Sequence, residues 1–208
     1  MSDDQQSFKF NDDARTIADR TVVKNSYELA LNSLSRLSSY GSAGESVDAH
    51  GEVATRQTQL ATEDVLHLAI SLRRLISANQ IHNRAKNISV PSISFRSADR
   101  YGVNSFIDGE YTLWSALNKL IHSTELRLLN FSFEALLESR MLTASDIYHL
   151  TLNRHQYRFP PVCILKTENG QQAKFHVSAL CDAAGDALEA AEEKAGEINI
   201  FLGSLYTD

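Results

Sequence analysis

Leu113-Trp114-Ser115-Ala116-Leu117-Asn118-Lys119-Leu120-Ile121-His122 is the stretch on which the reading of the fold turns. Leu113, Ala116, Leu117 and Leu120 recur at steps of three and four, the spacing of one apolar face of an α-helix. Trp114, Asn118 and His122 recur at steps of four and make a second, polar face, which Glu125 continues one turn later. The spacing predicts a helix over residues 111–123. An unpaired Asn or His in a core would cost roughly 1–3 kcal/mol, so two separate stripes place the polar set outside the core. That set either ties the helix to a neighbouring loop or carries chemistry.

Upstream, Val65, Ala69, Leu72 and Ile76 form an apolar face that Leu66, Leu68, Ile70 and Leu75 widen, the pattern of a central helix. Thr62 as N-cap, with Glu63 and Asp64 in the first turn, gives that helix its start. His67 on it reads as a buried or half-buried core histidine. An earlier helix is predicted over residues 14–37 from Ile17, Val23, Tyr27, Ala30, Leu31, Leu34 and Leu37. Residues 1–13 are polar and acidic and read as disordered. Residues 41–59 carry Gly, Ser and charge with almost no apolar side chain, which predicts a mobile loop holding His50 in solvent.

The β signals lie on either side of these helices. Ile88 to Phe95 alternates apolar with small polar residues around Pro91, which predicts an edge strand. Residues 126–137 fit strand or helix, with strand favoured for the first half. After Pro160-Pro161, two β-prone runs flank Asn169-Gly170, the strongest short hairpin signal, with a type I′ turn as the expectation. Ala173, Phe175 and Val177 then face inward, and Lys174 and His176 outward. A last helix is predicted over residues 178–205. Its stripe of Ala184, Leu188, Ala191, Ala195, Ile198, Leu202 and Leu205 packs on the protein's own core or on a second copy. Gly185 and Gly196 weaken it as a free-standing coil.

The fold class is therefore mainly α, a helical bundle with a small C-terminal β-hairpin and a long C-terminal helix. With 208 residues, 43% of them hydrophobic, the chain can bury one good core. The helical domain occupies residues 14–158, and the hairpin and last helix, residues 159–208, pack on the same core.

No run is long or apolar enough to span a bilayer, and Met1-Ser2-Asp3-Asp4 lacks the order of a signal peptide, so a cytoplasmic location is expected. Cys163 and Cys181 lie far apart without metal-ligand partners, and both read as small buried hydrophobes. His149 and His155 lack a third ligand, and neither a metal nor a cofactor is expected.

A net charge of −6 argues against a surface that binds nucleic acid all over. The charges are segregated, however. Between positions 73 and 100, Arg73, Arg74, Arg84, Lys86, Arg96 and Arg100 are opposed only by Asp99. A local basic strip of this kind suffices for a phosphate contact, although such runs are more often a solvated face. Asp182, Asp186, Glu189, Glu192, Glu193, Glu197 and Asp208 make the C-terminal segment acidic, and the acidic side of its helix suits a basic protein partner.

The Leu113 to His122 run, together with Asp64-Val65-Leu66-His67-Leu68-Ala69-Ile70-Ser71-Leu72-Arg73-Arg74 before it, resembles the motif helix and preceding helix of HEPN-type proteins, especially bacterial abortive-infection and toxin relatives. The resemblance implies a HEPN-like bundle and anti-phage function. It also implies a metal-independent ribonuclease, with an Arg four to six positions ahead of a His and a polar residue after the Arg. His122 matches the His and Asn118 the polar residue. Ser115, Ala116 and Leu117 stand where the Arg belongs, and none carries a guanidinium.

RNA cleavage without a metal attacks phosphorus with the 2′-hydroxyl. It needs a proton-transfer group active near neutral pH, which His122 provides, and a cation for the charge building on phosphorus. Arg73, Arg74 and Arg127 are the cations available, so the candidate catalytic set is His122, Asn118, Arg73 and Arg74. The expected partners are RNA and a second copy of the chain, since the family places its sites at dimer interfaces. The alternative is a non-catalytic module that binds RNA, a nucleotide or a protein.

Overall fold

The computed structural model describes residues 3–42, 51–98, 102–129, 161–197 and 202, with side chains at 19–40, 55–94, 107–128, 161–197 and 202. Helices α1 (Asp3–Ser42) and α2 (Gly51–Ala78) form its longest elements. Three cross-links fix their relation: Tyr40 with Thr58, Arg36 with Asp64, and Val22 beside Ala78 in one groove. Residue numbers that rise on one helix as they fall on the other make the two helices antiparallel. The Arg36 clamp is forked, its Nε lying 2.9 Å from both Asp64 carboxylate oxygens while its Nη2 also donates to one of them.

α2 is the central helix. Val65, Leu68, Ala69, Leu72, Leu75 and Ile76 are all fully buried. The apolar face is narrower than the sequence reading made it, because Ile70 is 45% exposed. His67 is exposed as well, against the expectation of a core histidine.

Two boundaries also differ. α1 begins at Asp3 and takes in residues 3–13, which the sequence reading set apart as disordered. α2 begins at Gly51, so residues 51–59 of the expected loop are helical, and Thr62 is not an N-cap but bonds back to the Thr58 carbonyl at 2.8 Å. Glu, Ala, Arg and Gln are good helix formers without being apolar, and a search for apolar periodicity passes over them. His50 lies outside the described residues.

α2 closes on Gln80, whose φ of 56° is left-handed. Its neighbour Ile81 donates to the Ile76 carbonyl at 3.1 Å, the six-to-one bond of a Schellman cap, and buries its side chain. A short helix α3 (His82–Asn87) leads into strand β1 (Ser89–Ala98), which pairs antiparallel with β2 (Gly102–Thr112). Pro91 stands opposite Glu110, and the register slips by one residue at Ser92/Ile93, where the Ser92 hydroxyl bonds Asp108 at 2.9 Å. The sequence reading did not anticipate β2, since its Gly, Asn and Asp have low strand propensity and Ile107 is 74% exposed.

Helix α4 (Leu113–Ile121) starts at Thr112, whose hydroxyl accepts from Ser115 N–H at 3.2 Å. Leu113, Ala116, Leu117 and Leu120 are fully buried, as their spacing requires. The helix ends before His122, and strand β3 (Ser123–Leu129) follows at once. Glu125 therefore sits on a strand beside Lys166 at 3.8 Å and does not extend the α4 face. The strand assignment for the first half of residues 126–137 agrees with the structure; residues 130–137, His149 and His155 lie outside the described residues.

β3 pairs with β4 (Val162–Thr167), and β4 with β5 (Gln172–His176), in an antiparallel sheet with β4 in the centre. The Asn169-Gly170 hairpin is present, with a different turn. Gly170 has φ 75°, whereas Asn169 does not take the positive φ that type I′ demands. Gly170 N–H donates to the Thr167 carbonyl at 2.8 Å and Thr167 N–H to the Gln171 carbonyl at 2.9 Å, giving a three-residue loop closed by a left-handed glycine. Ala173, Phe175 and Val177 are buried, as the alternation predicts.

The final helix α5 (Val177–Glu197) lays its alanine-rich face on the core. Ala184, Leu188, Ala191 and Ala195 are buried, and Ala183, Ala187 and Ala190 join them, so the face is broader than a heptad stripe. Asn79 at the end of α2 donates to the Ala191 carbonyl at 2.8 Å, and Tyr27 of α1 donates to Glu192. The stripe as far as Ala195, with Leu202, is thus buried within the chain, and Ile198 and Leu205 lie outside the described residues. Cys163 and Cys181 are free and buried. Among the described residues the architecture is mainly helical, with the expected C-terminal hairpin set in a three-stranded antiparallel sheet, a two-stranded antiparallel unit before it in the sequence, and a long C-terminal helix.

Candidate functional site

The polar face of α4 looks onto α2 and onto the β4–β5 turn. Trp114 is half-buried and packs at the margin of the core. The Arg73 guanidinium of α2 lies over its ring, 5.0 Å from the centroid, and His82 meets it edge-on at 4.8 Å. An arginine so placed gains from the ring's negative face. Arg73 also donates a hydrogen bond from Nη1 to the Asn118 side-chain oxygen. A guanidinium is thus held against Asn118 by a residue 45 positions earlier in the chain.

His122 caps α4 at its C-terminal end, with φ −100° and ψ 19°, and its backbone N–H returns to the Asn118 carbonyl at 3.0 Å. Its ring is exposed. With Asn118 it lines an open hollow of about 310 Å³ whose far wall is the β4–β5 turn, including Thr167, Glu168 and Gln171. Lys119 spans that hollow, its Nζ 3.1 Å from the Gln171 amide oxygen and 5.5 Å from the Tyr111 ring centroid.

Arg74 does not join His122. It lines a second groove of about 500 Å³ with Arg73, Val22, Ile70, Ser77, Ala78 and Ile121. Arg127 is exposed on β3.

Of the four candidates, Arg73, Asn118 and His122 therefore form a chain along α4, with Asn118 shared, and Arg74 stands in the neighbouring groove. Sequence reasoning missed Lys119 and the β4–β5 turn. Lys119 was adjacent to Asn118 and had a signal in that adjacency. The turn had none, because no local pattern reveals which helix a hairpin 50 residues downstream will approach. The basic strip is also shorter than its charges implied, since Arg84 bonds Glu193 of α5.

An imidazole, an amide and an ammonium in the His122 hollow, facing the Glu168 carboxylate, and guanidinium groups in the adjoining groove can receive an anionic ligand with proton transfer at its edge. Among the described residues no group of three His, Cys, Asp or Glu is placed to hold a metal ion. None of the described helices is long and apolar enough to cross a membrane. No family model, no curated protein and no solved structure matches this chain. The chemistry open to the site follows from its own residues.

Proposed function

We propose that the α4 face acts on RNA, in a HEPN-like protein of the anti-phage or toxin type whose motif arginine is replaced by Arg73 from α2. The supporting observation is the Arg73 to Asn118 hydrogen bond, which puts a permanent cation next to Asn118, one helical turn from His122. In this reading His122 takes the proton from the ribose 2′-hydroxyl as that oxygen bonds to phosphorus. The bond to the 5′-oxygen then breaks as that oxygen takes a proton from the His122 imidazolium or from water, leaving a 2′,3′-cyclic phosphate and a 5′-hydroxyl. Arg73, from the adjoining groove, and Lys119, within the His122 hollow, oppose the charge that builds on the phosphate oxygens. Asn118 orients Arg73.

One observation favours the non-catalytic alternative, an RNA-binding module. Arg73 and His122 line different hollows, and Lys119 is the cation within the His122 hollow.

The test is incubation of the purified chain with single-stranded RNA in EDTA, with analysis of the new ends. Cyclic phosphate ends, produced by the wild type and lost by at least about 10²-fold in His122→Ala, are the expected result. Binding without cleavage selects the module reading. Neither binding nor cleavage overturns both.

A further inference from the structure

The groove beside Arg74 has a composition that core packing does not explain. Its floor is aliphatic, from Val22 of α1, Ile70 and Ala78 of α2, and Ile121 of α4, and two guanidinium groups, Arg73 and Arg74, stand at its edge. Ile70 is 45% exposed, on a helix whose other apolar side chains of the same stretch are largely or wholly buried. Among the described residues no carboxylate lines the groove, and none pairs with Arg73 or Arg74. Arg73 uses one of its five N–H donors on Asn118 and one face on Trp114, which leaves donors to spare.

Ile121 and His122 are consecutive, and the first lines this groove while the second lines the neighbouring hollow. The last turn of α4 is therefore a ridge between two depressions, one edged by Arg73 and Arg74 and the other by Lys119 and Glu168. A polymer that repeats a planar base, whose face suits an aliphatic surface, and a phosphate at every unit can cross such a ridge and fill both depressions at once. An acidic peptide satisfies the guanidinium groups but has no such repeat to offer the aliphatic floor.

We propose that this groove is a nucleotide subsite, which seats the base and phosphate of the RNA unit neighbouring the one at His122. The proposal rests on the RNA reading of the α4 face and deepens it. Arg74 then binds phosphate, Ile70 and Ile121 cover a base, and single-stranded RNA is preferred over duplex, since a paired base cannot reach the floor.

The experiment is fluorescence anisotropy of the full chain with 5′-labelled 2′-O-methyl octauridylate, which lacks the nucleophile and stays intact. Wild type, Arg74→Ala, Ile70→Asp and the remote control Arg56→Ala are compared, with circular dichroism confirming the fold of each. All three sites are on the surface, and Arg74→Ala carries the test if Ile70→Asp fails to fold. Arg74→Ala is expected to weaken binding about tenfold and to lower the slope of log affinity against log salt by about one, with Arg56→Ala unchanged. Ile70→Asp is expected to weaken binding at least as much. Wild-type binding that Arg74→Ala and folded Ile70→Asp both leave intact overturns the subsite while the RNA reading stands. No wild-type binding to the octamer, with or without binding to a labelled polyglutamate peptide, overturns both.

Discussion

The clamp between α1 and α2 yields a prediction in which the sign of a difference matters more than its size. Arg36 and Asp64 are unequally placed, with side-chain exposures of 58% and 10%. Removing Asp64 releases a guanidinium that already faces water, and Ala in its place is the better helix former. Removing Arg36 instead strands a carboxylate in a nearly buried position without its forked partner. Exposed ion pairs contribute about 0.2–1 kcal/mol, whereas breaking a buried pair costs about 3–5 kcal/mol.

A pair with one buried end falls between these limits. Arg36→Met, which keeps the aliphatic stem, is expected to cost about 2 kcal/mol, and Asp64→Ala about 1 kcal/mol or less. The coupling energy from the double variant is expected to be about 1 kcal/mol. For a chain of this length each kcal/mol moves Tm by about 2–4 °C. Urea unfolding followed by far-UV circular dichroism on the four proteins measures all of this. An Asp64→Ala cost that exceeds that of Arg36→Met, or a coupling indistinguishable from zero, would refute the argument from unequal burial.

Three further outcomes follow from the backbone, the thiols and Trp114. Gln80→Gly relieves a left-handed residue, and Gly185→Ala fills a helical position where an added Cβ meets nothing within 4 Å; each is expected to stabilise by about 0.5–1 kcal/mol in the same urea assay, and a loss in either contradicts the assigned backbone. Burial pushes the Cys181 thiol up to about 11 and raises the Cys163 thiol as well. Both stay protonated in the folded chain where unfolded thiols ionise, near pH 8.5, so stability is level below that pH and falls above it by up to about 1.4 kcal/mol per thiol per pH unit; urea midpoints at pH 8 and 10 that coincide would contradict this. Trp114 is the sole tryptophan, so Arg73→Ala is expected to change its emission, and an unchanged spectrum would mean that the guanidinium does not rest on the ring.

Sequence pattern captured those parts of the fold where periodicity and burial coincide. Val65 to Ile76, Leu113 to Leu120 and Ala173 to Val177 were readable because the apolar positions at the helical or strand period land on the core, even though Leu66 and Ile70 lie off it. Residues 3–13 and 51–59 escaped because helix propensity in polar residues leaves no apolar period. Strand β2 escaped because its pairing with β1, and not its composition, makes it a strand. At the site, the α4 face was legible as a face, and Arg73 was legible as a cation in search of a place. That Arg73 lies on Trp114 and bonds Asn118, while Arg74 reaches only the groove that the two arginines share, depends on the packing angle of α2 against α4, which no single sequence segment encodes.

The central claim is that Arg73 serves the α4 motif through its bond to Asn118. A double-mutant cycle on metal-free RNA cleavage, with Arg73→Ala, Asn118→Ala and the pair, tests it most directly. The account predicts that Arg73→Ala is the slower of the two single variants and that adding Asn118→Ala slows it little further, because the amide acts by holding the guanidinium. Losses that simply multiply, or an Arg73→Ala protein that cleaves as fast as the wild type, would contradict it.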